Sequence, residues 1–192
     1  MEAREFLKIM KLAENLKNNT RHSWTSSGRH ESVAEHSWRL TMMAFFVKDE
    51  FPQADMDKVI RMCMFHDMGE AFTGDIPAFL KKESDSQEES RIIYQWIETL
   101  PENYRQEVKE LFDEMEALET LESKIYKALD KMEALIQHNE ADISTWLPLE
   151  YELNLVYGTE QVQFSDFFKS LKEAINQDTR DKIEDEQKNK EK

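Results

Sequence analysis

The run Phe65-His66-Asp67-Met68-Gly69-Glu70, with Thr73-Gly74-Asp75-Ile76-Pro77 close behind it, gathers groups able to do chemistry. An adjacent His-Asp pair puts an imidazole nitrogen and a carboxylate within reach of one cation. Imidazole is the commonest metal ligand, and carboxylate oxygen suits Mn, Fe, Co or Mg. Two ligands do not hold a catalytic metal, so more His or Asp must come from segments that pack against this one. His36 and Asp130 are the candidates, each in its own apolar stretch. Both have plainer readings. A lone His on an apolar face is more often a core residue, and Asp130 beside Lys127 and Lys131 is by default a surface acid.

Such groups need elements to hold them, and the composition points to helices. There are 4 Gly and 4 Pro in 192 residues, while Leu, Glu, Lys, Ala and Met abound. Residues 2–17 place Phe6, Ile9, Met10, Ala13 and Leu16 on one face of a helix. Ser32 and Glu35 read as a capping box that opens a second helix running to about Glu50, with His36 in its first turn. The next helix starts at Asp55 or Asp57 and carries Val59, Ile60, Met62, Cys63 and Met64 into His66-Asp67. An Asp at the end of so apolar a helix is costly unless it is paired or bound to a metal. Gly69, Gly74 and Pro77 then loosen the chain where a catalytic loop can sit. Helical patterns return over residues 86–99, 102–118 and 120–138, more weakly over 146–157, and clearly over 164–176.

Between the first two helices, Thr20 to Glu31 loses the helical period and reads as a loop. Arg21, His22, Trp24, Arg29 and His30 make it the most basic stretch of an acidic protein. Arg forks onto phosphate and Trp offers a stacking face; the alternative is that Trp24 anchors the loop to the core.

The chain is expected to be one domain over residues 1–177, followed by a charged tail over 178–192 that frays or is disordered. The formal charge of −15 argues against nucleic-acid polymers, though a metal and local arginines can reverse the sign inside a cleft. One cysteine, Cys63, excludes an internal disulfide framework and fits a reducing compartment. No apolar run reaches membrane-spanning length, and a cytoplasmic location is expected.

The order His36, His66-Asp67, Asp130 on a helical chain resembles the HD-domain superfamily of metal-dependent phosphohydrolases. The words Glu31-Ser32-Val33-Ala34-Glu35-His36, His66-Asp67-Met68-Gly69-Glu70, Thr73-Gly74-Asp75-Ile76-Pro77 and Leu129-Asp130-Lys131 look like its 5′-deoxynucleotidase branch, over roughly residues 1–140. The resemblance implies an all-α, single-domain helical bundle around a buried metal site. His36, His66, Asp67 and Asp130 would be the ligands. Glu70 and Asp75 would be the catalytic acids, with Asp75 also binding substrate. Arg21 would orient the phosphate, while Trp24 and the Ile76-Pro77-Ala78 backbone would line the nucleoside site.

The implied cofactor is a divalent ion (Co, Mn, Mg or Fe), with a second ion at Glu70 and Asp75 an open alternative. The implied substrate is a nucleoside 5′-monophosphate, and the expected assembly is a homodimer. Arg21-His22-Ser23-Trp24 sets two residues between Arg and Trp, a spacing similar to that of eukaryotic members of the branch. Rival readings are an HD phosphohydrolase for another ester (a cyclic or polyphosphorylated nucleotide, or a non-nucleotide) and a catalytically silent interaction module.

Overall fold

The computed structural model describes residues 1–190. Its helices are α1 (Ala3–Asn18), α2 (Val33–Phe46), α3 (Met56–Phe65), α4 (Glu70–Thr73), α5 (Glu83–Glu98), α6 (Glu102–Ala117), α7 (Leu121–Glu140), α8 (Glu150–Val156) and α9 (Asp166–Lys190). Two short strands, β1 (Thr20–Trp24) and β2 (His30–Ser32), pair as a small sheet. The chain packs as two compact units, residues 1–22 with 31–126 and residues 23–30 with 127–192. No helix among the described residues is long and apolar enough to cross a membrane.

In the first unit α2 packs on α3, and α1 packs on both α2 and α4. The core is built from Val33, Leu40, Ala44, Val59, Met62, Cys63 and Ile97, each removed from solvent. The capping box is present as expected. Ser32 Oγ accepts from the Glu35 N–H, and the Glu35 carboxylate accepts from the Ser32 N–H at 2.9 Å. With that turn fixed, His36 points inward and is fully buried.

Helix α1 buries less than its pattern suggests. Leu16 is in the core, whereas Phe6 and Met10 stay exposed. Its middle, Ile9 and Leu12, lines an open cleft of about 290 Å³ with Trp96 and Pro101 instead of closing on a neighbour. Its C-terminal end does the positioning: Asn15 and Asn19 donate side-chain N–H groups to the Ala71 and Glu70 carbonyls, tying α4 down.

In the second unit, the latter part of α7 buries Leu129, Met132 and Leu135, and α9 contributes Phe168 and Ile175 to the core. Gln137 donates to the Trp24 carbonyl at 2.7 Å, which fixes the hairpin tip within this unit.

Several local expectations change. The stretch from Thr20 to Glu31 is a β-hairpin, its Thr and Trp suited to strands and its turn closed at Gly28, where φ is 81°. Helix α2 stops at Phe46 and a 3-10 turn covers Lys48–Glu50. Residues 146–157 are helical over Glu150–Val156. Residues 178–190, expected to fray, continue α9. Thr179 is buried there and donates to Asn139, Tyr151 donates to Glu186 at 2.9 Å, and Lys190 pairs with Glu186 one turn away. Glu191 and Lys192 lie outside the described residues.

Candidate active site

Helix α3 ends where the chemistry begins. The His66 N–H still donates to the Met62 carbonyl, and tight turns then bond Met68 to Phe65 and Glu70 to Asp67. That reversal sets His66 and Asp67 beside His36 of α2. The ligand atoms of His36, His66 and Asp67 all lie within 4.8 Å of one another. Asp67 Oδ2 is 3.0 Å from His66 Nε2 and 3.9 Å from His36 Nε2.

The hydrogen bonding tests whether a cation fits. His66 Nδ1 lies 2.9 Å from the Cys63 carbonyl, which can only accept, so this nitrogen carries a proton. In a neutral ring, Nε2 then turns its lone pair toward a carboxylate oxygen 3.0 Å away. A proton on Nε2 or a cation shared with the carboxylate satisfies that contact, and two imidazoles with a carboxylate make a donor set suited to a divalent metal. A backbone carbonyl that fixes the outer nitrogen is also what orients a ligating His.

Around this trio acids outnumber the one arginine that reaches it. Arg21 reaches Asp67 Oδ2 with Nη1 at 3.4 Å and Glu31 with Nε at 3.5 Å. Burial works to raise the Asp67 carboxyl, but His66, then His36 and Arg21, hold it well below the usual carboxylate range. Glu70 opens α4 and is nearly buried, and its Oε2 has no hydrogen-bond donor facing it among the described residues. Burial pushes the Glu70 carboxyl up to about 9; Asp67 and Asp75 add to the rise and Arg21 opposes it. Burial also raises Asp75, against the pull of Arg21 and of the His22 backbone N–H. His22 packs edge-on against Phe79, so β1 lies along the loop that follows Asp75. Ile76 and Pro77 on that loop are half-buried, and Ala78 is exposed.

The remaining candidates belong to the second unit. Asp130 is buried on α7, its Oδ2 3.0 Å from Lys127 Nζ and 3.7 Å from Lys131 Nζ. Trp24 stacks on His30 with ring centroids 4.0 Å apart, and its carbonyl is held by Gln137.

Three buried or half-buried charges escaped the sequence reading. Glu31 partners Arg21. Glu133 is fully buried on α7. Its signal was an acid one turn after Asp130 inside the stripe of Leu129, Met132 and Leu135. Lys81, paired with Glu89, looked like one more solvated lysine.

Residues 13–172 match the HD domain, and the chain belongs to that family. Human 5′-deoxynucleotidase HDDC2 is 35% identical over 142 residues, covering 72% of this chain and 69% of the relative. Fission yeast 5′-deoxynucleotidase hdd1 is 29% identical over 161 residues, covering 74% and 80%. Among solved structures, a protein of Magnetospirillum magnetotacticum described as a predicted metal-dependent phosphohydrolase superposes with a TM-score of 0.77. It is 24% identical and covers 93% of both chains, a likeness that establishes the shared fold.

Proposed function

We propose that this chain is a metal-dependent 5′-nucleotidase that hydrolyses (deoxy)nucleoside 5′-monophosphates to nucleoside and phosphate. One observation carries the reading: the His36, His66 and Asp67 donors converge beside Arg21 and a Glu70 whose carboxyl is pushed up by burial. The names of the curated relatives supply the substrate class.

A divalent ion held by His36, His66, Asp67 and Asp130 would acidify a water and polarise the phosphoryl group. Co, Mn, Mg and Fe all suit that donor set, and Glu70 with Asp75 offers carboxylates for a second ion. Arg21, already at the edge of the cluster, would turn its N–H groups onto the phosphate oxygens. As water adds to phosphorus, the P–O5′ bond breaks with its electron pair going to the 5′-oxygen, which takes the Glu70 proton; the water's proton then restores Glu70. The Ile76-Pro77-Ala78 backbone and Trp24 would border the nucleoside.

The same reading takes the protein as cytoplasmic, with no membrane or nucleic-acid polymer as partner, and as a homodimer. Exposed Trp38, Phe45 and Phe46 on α2, and Val156 and Phe164 in the second unit, are apolar surface that an assembly would cover.

The test is phosphate release from a panel of ribo- and deoxynucleoside 5′-monophosphates by metal-stripped protein re-supplied with Co, Mn or Mg. Release that vanishes without metal and in Glu70→Ala is expected. Protein that binds a metal yet releases nothing would sink the reading in favour of another phosphate ester or a silent binding role.

A further inference from the structure

The acids around Asp67 in the first unit have a second cation near them besides Arg21. After Gly74-Asp75-Ile76-Pro77 the backbone turns sharply, the Pro77 carbonyl accepting from the N–H groups of Leu80 at 2.8 Å and Lys81 at 3.0 Å. That turn aims Lys81 back at α5, where its Nζ meets Glu89 Oε2 at 2.5 Å. Both side chains are largely covered, 28% and 18% exposed.

Glu89 in turn is seated on Gly69. A Cβ built on Gly69 would stand 2.6 Å from Glu89 Cγ and 3.0 Å from Oε1, so only a glycine lets the carboxylate approach this closely. Gly69 lies between Asp67 and Glu70, and the Lys81 ammonium is therefore held one carboxylate away from the backbone that carries both acids. The acids feel it: the Lys81 charge lowers Asp75, and Glu70 and Asp67 join Glu89 in keeping Lys81 protonated against the effect of burial.

The plain alternative is a structural pair that pins α5 to the turn after α3. Charge accounting argues against stopping there. A phosphate monoester brings close to two negative charges to acids that already include Glu31, Asp67 and Asp75, more than Arg21 and one divalent ion offset. Arg21 is divided between Glu31 and Asp67. A lysine whose partner is a single, partly exposed carboxylate can trade that carboxylate for a phosphate oxygen at little cost, because its ammonium is a compact charge on a flexible stem.

We propose that Lys81 is a phosphate-binding residue, its ammonium exchanging Glu89 for a non-bridging oxygen of a phosphate monoester or of inorganic phosphate, with Glu89 the positioning residue that holds it ready. The inference deepens the nucleotidase reading but is tested without turnover.

Inorganic phosphate is titrated calorimetrically into full-length protein pre-loaded with Mn and freed of excess ion, for wild type, Lys81→Met, Lys81→Arg and Glu89→Gln. KM and kcat for a deoxynucleoside monophosphate are measured alongside. Lys81→Met should weaken phosphate binding and raise KM by about ten- to a hundred-fold, the range for a lost hydrogen bond to a charged group, with a smaller change in kcat. Lys81→Arg should restore most of it. Glu89→Gln should tighten phosphate, since it removes the competing carboxylate and keeps the shape.

Opposite signs for Lys81→Met and Glu89→Gln are what a structural pair would not give, because breaking it from either side should do the same harm. Equal phosphate affinity in wild type and Lys81→Met, parallel weakening in both variants, or no phosphate binding by wild type would each overturn the proposal. Lys81-dependent phosphate binding without hydrolysis of any monophosphate would keep the proposal and remove the nucleotidase reading. Hydrolysis with an unchanged Lys81→Met KM would do the reverse.

Discussion

His66 holds its Nε2 3.0 Å from Asp67 Oδ2 while its Nδ1 faces the Cys63 carbonyl at 2.9 Å. The carbonyl fixes Nδ1 as a proton carrier, which leaves Nε2 to face Asp67 either as a donor to the carboxylate or, once deprotonated, as a ligand atom for a shared cation. Asp67→Asn replaces one oxygen by an N–H donor able to bond Nε2, and this variant is expected to fold. In wild type a divalent ion at a hundred times its Kd should add about 2.7 kcal/mol of stability. In Asp67→Asn the melting temperature should be the same with Mn as with chelator. An undiminished Mn-dependent shift would show that Asp67 is not a ligand.

Glu70 makes a pH prediction for the ion-free protein. Its carboxyl titrates near 4.5 when the chain is unfolded and is raised to about 9 in the fold. Between those values the folded state holds a proton that the unfolded chain has released, so stability must fall as pH rises. The contribution is fully present below about 4.5 and is lost as pH climbs through about 9. Denaturant titrations across that window should show a downward slope in wild type that Glu70→Gln flattens. Identical slopes would mean that Glu70 is ionised in the folded protein.

Arg21 is shared by Asp67 and Glu31, 3.4 and 3.5 Å away, contacts long enough to give up for phosphate. Arg21→Ala should raise KM for monophosphates by about ten-fold or more. Arg21→Lys should recover only part, because an ammonium lacks the paired N–H fork. Steady-state kinetics settle it; a KM untouched in Arg21→Ala would move the phosphate elsewhere.

Gly74 ends α4 at φ 75°, its N–H bonded to the Glu70 carbonyl at 2.9 Å, and a Cβ there would meet nothing within 4 Å. Gly74→Ala should therefore cost only the penalty of an extended, positive-φ conformation that is essentially reserved for glycine, about 1–3 kcal/mol. Gly28, at φ 81° and equally open, is the control. Both alanine variants should lose similar stability in urea, but only Gly74→Ala, which redirects the chain into Asp75, should also lower kcat. Equal activity in the two would detach the α4 turn from catalysis.

The sequence made the site's spine legible because its devices are local. Ser32 and Glu35 announce a cap three residues apart, and His36 follows from it; His66-Asp67 closes an apolar run whose Val59, Met62 and Cys63 are indeed buried. The hairpin was harder. Arg21 and His22 mask the strand character of Thr20-Arg21-His22-Ser23-Trp24, and its ladder depends on residues that are not neighbours in sequence. Lys81 and Glu89 were hidden for a different reason. In a run of Lys, Glu, Ser and Asp every charge looks solvated, and only the bare face of Gly69 draws this pair inward. Helix α1 erred the other way, since a periodic apolar face says what can be buried and not what is present to cover it.

The hairpin tip, residues 23–30, packs with residues 127–192. On the ribosome the chain appears from its N terminus, so His36, His66, Asp67, Glu70 and Lys81 are all available while the tip is still waiting. The Gln137 amide that its Trp24 carbonyl accepts is made 113 residues later. A nascent chain halted after Tyr126 thus carries every charged group of the first unit but leaves the stretch directly after His22 without the residues it packs on. The last third of the chain therefore finishes a loop that was among the first parts synthesised.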